Sequence, residues 1–595
     1  MLGMILGFVT VCVGSEAATA QPAKTAAPAF YRVAKRNGVW WFVAPDGKPF
    51  FSLGADCVDT GEAKVKYRSD NPGYAAFRYY PNDAAWAQST LARLRSWGFN
   101  TLGAWSDVPT LKAVDTRMPY TVELELGGST HVPWCDMFSP EIACQFDSLA
   151  RKQVLPLRDD PQLLGYFSDN ELGWWDDTLF VFFLGQPASN ATHRVLLRLL
   201  HTHYGGSFAR LQRDFDTGAA KDFAALERHP TLTLKPGAQG MEVVNQFTYL
   251  VAERYYRLAH DAIRHYDKRH LILGDRYADW YPQAVARAAR PYVDVISTNY
   301  GADWTDGSNA RFYLDTLHRL TGKPILITEF YFCAMQNRSG NKNTSAGFPT
   351  VPTQQERAEG FRTNLRAFAQ LPYVIGAHWF QYYDEPTKGR GDGENYNMGL
   401  VDIADQPYEE MTAAVASLPL DVLHRQSVAS TPRSEVFLPP APEQPEAGLR
   451  DWEKERAFVP STAHAAGTPP CADLYACWDA GYLYLAVYAA DYADPSLYKG
   501  RKIPSSERME WTLTLGTGNK PVRVRFGADG KATVVGAAIP CKTWERSTLF
   551  TALLALPASA LDQKALQAGE RIRLRATLTT HSRAERTTWD TTLHL

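Results

Sequence analysis

The 595-residue sequence predicts an α/β chain, a (β/α)8 TIM barrel followed by an all-β sandwich. Three observations carry that reading. Between residues 51 and 425, eight short apolar strand signals alternate with helical patterns. Residues 427–446 then hold Pro432, Pro439, Pro440, Pro442 and Pro445, a stiff linker composition. Beyond that stretch the apolar period changes to two, the spacing of half-buried strands. The expected divisions are a signal segment over 1–20, the barrel over 30–425, a linker over 426–449 and the sandwich over 450–595.

Each element has its own signal. Residues 1–13 are almost wholly apolar, and Ala18-Thr-Ala20 before Gln21 is a small-residue cleavage pattern, although no Lys or Arg opens the run. The run is too short to span a bilayer, so export to the periplasm or outside, with no membrane span, is expected. Asp46-Gly47 is a hairpin turn between aromatic strands. Residues 51–56 form the first barrel strand, 86–97 a helix, and 100–104, 120–126 and 163–167 the next three strands. A long segment follows, with an amphipathic stretch at 195–203 and a helical pattern over 242–266. It reads as helical insertions forming one wall of a cleft. Strands five to eight fall at 270–274, 293–298, 324–328 and 374–379. In the last part, 474–478, 482–488, 510–515, 522–526 and 571–575 alternate with period two, with turns at Asp479-Ala-Gly481 and Asp529-Gly530.

Composition excludes several classes. The net charge is −2, so no basic field attracts nucleic acid or an anionic membrane. Aromatics make up 12%, with 16 Trp, which suits either a surface that stacks on sugar rings or simply large cores. Eight cysteines are too sparse for a disulfide scaffold. The seven beyond the proposed cleavage leave at least one free; Cys135 with Cys144, and two of Cys471, Cys477 and Cys541, are conceivable bridges. No Cys or His spacing fits structural zinc, and His201, His203, His260, His265 and His270 read as helix-surface residues. Gly389-Arg-Gly-Asp-Gly393 lacks a strand-to-helix phosphate signature and reads as a mobile loop. No metal or other cofactor is expected.

The chemistry sits in two glutamates. Glu171 follows the strand in Leu164-Gly-Tyr-Phe-Ser-Asp-Asn-Glu171, and Glu329 ends the strand in Lys323-Pro-Ile-Leu-Ile-Thr-Glu329. Active sites of such barrels lie at the C-terminal strand ends. Two carboxyls there supply what glycosidic cleavage needs: one donates a proton, the other attacks the sugar or activates water. The alternative for either is a salt bridge to a nearby Arg or Lys.

Asn170-Glu171 after an apolar strand, Glu329 ending another and Trp379 ending the last resemble the retaining (β/α)8 glycosidases of clan A. The strings Trp40-Trp-Phe-Val-Ala-Pro-Asp-Gly47, Phe51-Ser-Leu-Gly54, Asp169-Asn-Glu-Leu172, Trp379-Phe-Gln-Tyr382 and Gly393-Glu-Asn-Tyr-Asn397 are similar to the family 50 agarases, over residues 38–405. The resemblance implies a protonated acid/base at Glu171 and an ionised nucleophile at Glu329. It implies that Asn170 binds the sugar 2-hydroxyl, that Tyr300 donates to the nucleophile, and that Trp379 floors the sugar site, although Trp379 on its own reads equally as a core residue. Arg276 either supplies positive charge or orients a loop carboxylate. Trp105, Gln381, Glu394 and Asn395 are further candidates for substrate contact, while Asp384, Glu385 and Glu394 are equally read as solvated loop charge. The sandwich resembles carbohydrate-binding modules of the family 9 and DOMON-like type. Its Trp478, Tyr482, Tyr484, Tyr488 and Trp511 either stack on sugars or fill the sandwich, and a lid against the barrel is the competing role. The domain order departs from the agarase pattern: no N-terminal binding module is found, and the sandwich follows the barrel. The implied activity is secreted, retaining, agarase-like cleavage of β-linked galactose in a polysaccharide or its oligosaccharides. A β-galactosidase-like exo-enzyme, a transglycosylase and a non-catalytic glycan-binding protein are the alternatives.

Overall fold

In a computed structural model of the chain the described residues are 29–595, apart from 116, 175–178, 345–347, 428–433, 463–468, 491–494, 505–506, 517–521, 527–531, 536–540, 547–548 and 581–585. The expected signal segment, Pro432 and the Asp529-Gly530 turn lie outside the described residues.

All eight expected strands are present: β1 Ser52–Ala55, β2 Thr101–Leu102, β3 Tyr120–Glu123, β4 Leu163–Phe167, β5 Leu271–Gly274, β6 Ile296–Asn299, β7 Ile325–Phe330 and β8 Val374–Trp379. β1 to β5 pair in parallel in chain order, as do β6 to β8, and β8 returns to β1 with Gly376 opposite Ser52. The Ile272 carbonyl accepts the amides of Asp294 at 2.9 Å and Val295 at 3.2 Å, joining β5 to the segment that leads into β6 and closing the barrel. Seven of the strands, all but β3, are buried along their whole length. A parallel barrel requires this, because helices cover the outside and side chains fill the inside.

The filling is polar in the middle and apolar below. The Ser52 hydroxyl bonds to Thr101 at 2.8 Å and to the His378 ring at 3.0 Å. A Cβ on Gly54 would lie 2.4 Å from that ring, so glycine there is what admits the imidazole to the lumen. Beneath it, the N-terminal hairpin Arg32–Arg36 and Val39–Val43 inserts Phe42 among Leu164, Leu271, Val295, Leu326 and Ile375, stopping the end of the barrel away from the site. The segment between β4 and β5 contributes helices Leu179–Leu184, Ala191–His203, Phe208–Asp214 and Phe223–Arg228 before the long helix Met241–Tyr266. Phe180 and Phe183 of the insertion pack edge-on against Phe247 of that helix.

The C-terminal part is two facing sheets. One holds Phe458–Val459, Ala472–Trp478, Tyr482–Ala490, Leu549–Pro557 and Cys541–Arg546; the other holds Glu435–Phe437, Arg586–His594, Arg571–Thr580, Met509–Leu515, Val522–Phe526 and Ala532–Val535. Leu474, Leu485, Val487, Trp511, Leu574 and Trp589 fill the space between them. Part of the expected linker belongs to this domain, because Glu435–Phe437 pairs with Arg586–His594 and buries Val436 in the sandwich core. The aromatics weighed as sugar platforms are mostly internal. Trp511 is in the core and Trp478 is half-buried against it. Tyr484 and Tyr488 are covered on the outer face by Leu449, Trp452 and Phe312; only Tyr482, at 39%, is exposed. Cys135 and Cys144 are free thiols, so that bridge does not form. Among the described residues, no helix is long and apolar enough to cross a membrane.

Candidate active site

The C-terminal strand ends converge on a cleft of about 530 Å³, lined by Cys57, Trp105, Asn170, Glu171, Ala278, Asp279, Glu329, Tyr331, Phe348, Phe380, Arg390 and Glu394. That volume lies within the roughly 300–1,000 Å³ of ordinary ligand sites. Among the described residues, none of those lining the cleft comes from the helical insertion. Six residues at the strand mouths have left-handed backbones: Cys57, Trp105, Glu125, Glu171, Arg276 and Asp279, with φ of 53, 55, 48, 50, 49 and 49°. Each such non-glycine residue costs on the order of 1–3 kcal/mol, and such residues cluster where function demands a fixed side-chain direction.

The two glutamates meet on one amide. Asn299 Nδ2 donates to Glu171 Oε1 at 2.8 Å and to Glu329 Oε1 at 3.1 Å, and lies 3.2 Å from Asn170 Oδ1. The Thr328 hydroxyl donates to Asn299 Oδ1 at 2.8 Å, which fixes the amide with its nitrogen toward the carboxyls. Sharing one nitrogen, the two glutamate oxygens are no more than about 6 Å apart. Carboxyl pairs that retain configuration are separated by about 5–5.5 Å and inverting pairs by about 6.5–9.5 Å. The ladder is irregular at this point, between Thr298 and Asn299 against β7 and between Ile327 and Phe330 against β8. Bulges of this kind re-aim side chains, and here Thr328 and Glu329, though adjacent, both reach Asn299.

Arg276 is the electrostatic hub. It is fully buried, and its Nη2 donates to Asp56 Oδ2 at 3.0 Å and the Thr328 carbonyl at 3.0 Å, with Glu329 Oε1 at 3.1 Å. Nη1 donates to Asn170 Oδ1 at 3.1 Å and lies 3.5 Å from Glu123 Oε2. Its guanidinium carbon is 4.2 Å from the centre of the Trp105 ring. One cation thus pairs with three carboxyls, and Glu171 lies within reach of its field. Burial pushes Asp56 and Glu123 up to about 7 against the pull of Arg276. Burial also raises Glu171, opposed by the Asn299 bond and Arg276. Glu329 is raised well above the ordinary range by burial, with Arg276 opposing and Glu171, Asp56 and Glu123 adding to the rise. Burial thus favours the protonated forms across the cluster, with Arg276 pulling the other way.

Two further buried acids hold the segments that carry these groups. Asp169 accepts from the amides of Gly127 at 2.8 Å and Gly128 at 2.7 Å and from the Tyr255 hydroxyl at 2.6 Å. Asp275 accepts from Trp174 Nε1 and the Tyr256 hydroxyl, both at 2.9 Å. Burial raises them to about 8 and about 6.

The sequence candidates divide. Glu171, Glu329, Asn170, Trp105 and Glu394 line the cleft, and Arg276 lies directly behind it. Tyr300 does not donate to Glu329; its hydroxyl points away, to Asp303 Oδ2 at 2.7 Å. Trp379 is no sugar floor. It is fully buried in the barrel wall against Phe330 and Phe361, with Nε1 on the Met398 carbonyl. Both corrections have one cause: side chains alternate across a strand. Asn299 and His378 take the lumen, so Tyr300 and Trp379 face out. Phe380 is the aromatic at that mouth, edge-on to Trp105. Gln381 is buried and does not line the cleft. Asn395 accepts from Asn341 Nδ2 at 3.0 Å and so pins two loops together. Asp384 is buried, accepting from Ser339 and Tyr408, rather than solvated. Glu385 is buried too and accepts from the Tyr396 amide. Glu394 pairs with Arg390 at 3.0 Å on the rim. Sequence reasoning missed Asn299, Asp56, Glu123, Phe380 and Arg390. Asn299, Asp56 and Glu123 sit at or just beyond C-terminal strand ends, a usable signal; the Arg390 loop carries none.

No protein-family model matches the chain. Two proteins of Vibrio sp. (strain JT0107) are similar to it in sequence. β-Agarase A is 29% identical over 467 residues and β-agarase B is 28% identical over 373. The alignments cover 65% and 57% of this chain but 45% and 36% of those proteins, so the chain spans less than half the length of either relative. Among solved structures, an exo-β-agarase matches with a TM-score of 0.55 at 23% identity, over 67% of this chain and 66% of the other, which shows a shared fold.

Proposed function

We propose that the chain is a retaining β-glycoside hydrolase cleaving β-linked galactose units in an agarose-like polysaccharide or its oligosaccharides. The supporting observation is the amide nitrogen of Asn299 shared by Glu171 and Glu329, which keeps their oxygens no more than about 6 Å apart, closer than an inverting pair. Glu171, whose proton burial favours, gives it to the glycosidic oxygen as the bond from that oxygen to the anomeric carbon breaks. A Glu329 oxygen forms the new bond to that carbon. Water, deprotonated by Glu171, then releases the sugar and restores both residues. For Glu329 to attack, it must be the ionised member of the cluster; Arg276 at 3.1 Å and Asn299 at 3.1 Å favour that state. Asn170 is suited to the sugar 2-hydroxyl, and Trp105 and Phe380 to the faces of the ring. The galactan substrate rests on the likeness to proteins named β-agarases. Export, to the periplasm or beyond, rests on the apolar opening of the sequence.

The test is purified chain incubated with agarose, porphyran, carrageenan and aryl β-galactosides. Released sugar is followed chemically and the first-formed anomer by NMR. Turnover with a β-configured first product, abolished in Glu171→Gln and Glu329→Gln, is expected. An α first product overturns retention. Equal glycan binding by wild type and both variants, with no sugar released by any, overturns the enzyme reading in favour of a binding protein.

A further inference from the structure

We propose that the C-terminal sandwich is a positioning element of the active centre, acting through Tyr488, rather than a separately tethered glycan-binding domain; the inference rests on the hydrolase reading above. The barrel helix after β6, Arg311–Thr321, begins at Ala310, whose side chain cannot cap it. The first amides of a helix have no partner within it. Here Asp473 of the sandwich supplies one, accepting from Arg311 N at 2.6 Å and Phe312 N at 3.2 Å. The loop before this helix is held from the same side. Tyr488 donates to Asp303 Oδ1 at 2.7 Å, while Asp303 Oδ2 accepts from the Tyr300 hydroxyl at 2.7 Å and the Ala310 amide at 2.8 Å.

Tyr300 adjoins Asn299, the residue on which both glutamates hang. Its ring stacks on Tyr313 at 4.1 Å, and the Tyr313 hydroxyl bonds to Thr298 at 2.6 Å on the other side of Asn299. The Tyr300 amide donates to the Glu329 carbonyl at 2.9 Å. A chain of short bonds therefore runs from the sandwich to both neighbours of the hub amide. The contact face is closed to glycan. Tyr475, Tyr484 and Tyr488 are buried against Ala310, Phe312 and Trp452, and Lys454, 6% exposed, reaches Asp306 at 2.7 Å.

The experiment compares full-length wild type, Tyr488→Phe, Asp303→Asn and, as a control on the exposed end of the same strand, Tyr482→Ala. A misplacement of roughly 1 Å at a reacting group costs about a hundredfold in rate. Tyr488→Phe and Asp303→Asn are expected to lose about tenfold or more in kcat on a soluble aryl β-galactoside and on polysaccharide alike. KM should stay within twofold and Tm within a few degrees. Tyr482→Ala should match wild type. An unchanged kcat on the small substrate, or a rise in KM confined to polysaccharide, overturns the proposal. A readout independent of activity is hydrogen exchange over residues 296–310, expected to quicken in Tyr488→Phe. Unchanged exchange overturns the proposal even if the wild type hydrolyses none of the glycosides tried, whereas an inactive wild type with quickened exchange faults only the hydrolase reading.

Discussion

Replacing Asn299 by Ala removes the side-chain donor shared by Glu171 and Glu329 while keeping strand β6 intact. Each lost bond is to a carboxyl that carries charge at some point in the cycle, and such bonds contribute about 1.5–3 kcal/mol. They are not additive, because they leave one nitrogen, so a single preorganised donor is the closer comparison, at about 2.7–4 kcal/mol. A loss of 3 kcal/mol is a factor of about 150 in kcat/KM. The Asn299 bond also favours the ionised form of Glu171, opposing the upward push of burial. Without it Glu171 keeps its proton to higher pH, so the alkaline limb of kcat/KM should move upward. The assay is initial rates on an aryl β-galactoside from pH 5 to pH 9, with thermal melting as the fold control. A variant within threefold of wild type, with its alkaline limb unmoved, refutes the role given to the amide.

Arg276→Met leaves the carboxyls of Asp56, Glu123 and Glu329 without their cation and should destabilise by about 3–5 kcal/mol in urea unfolding at pH 8, and by less at pH 5, where those acids gain protons. Stability of the wild type should itself fall between about pH 4 and pH 8. Asp169, Asp56 and Asp473 are raised by burial from 3.8 to about 8, 7 and 7, so across that window the folded state holds protons that the unfolded chain has released, and stability drops as pH rises; a Tm that climbs from pH 5 to pH 8 would contradict it. Trp105→Ala should raise KM on oligosaccharides about tenfold with little change in Tm, measured by steady-state kinetics. Trp379→Phe should do the opposite, lowering stability by about 1–3 kcal/mol through lost packing and leaving KM in place.

Much of the barrel was legible in the sequence because a parallel strand buried on both faces writes itself as a short apolar run. Eight such runs are hard to mistake. Glu171 and Glu329 were legible for the complementary reason: a carboxyl at the end of such a run needs a purpose. What failed was parity. Whether Asn299 or Tyr300, His378 or Trp379, turns inward depends on where each strand enters the barrel and on the bulge near Glu329, and neither is written in local composition. The sandwich shows the same limit. Period two marks Tyr484 and Tyr488 as lying on one face of a sheet, but the barrel loop that covers that face lies about 180 residues earlier in the chain.

The left-handed residues at the strand mouths bear on how this cleft could be re-engineered. Trp105, Glu171, Arg276 and Asp279 sit where Val, Ile or Thr would clash with their own backbone, so libraries randomising those positions would be filled with misfolded members. Tyr331 and Phe348 line the same cleft without a left-handed backbone. Variation aimed at a new sugar belongs there, where side chains can change shape without moving the chain that carries them.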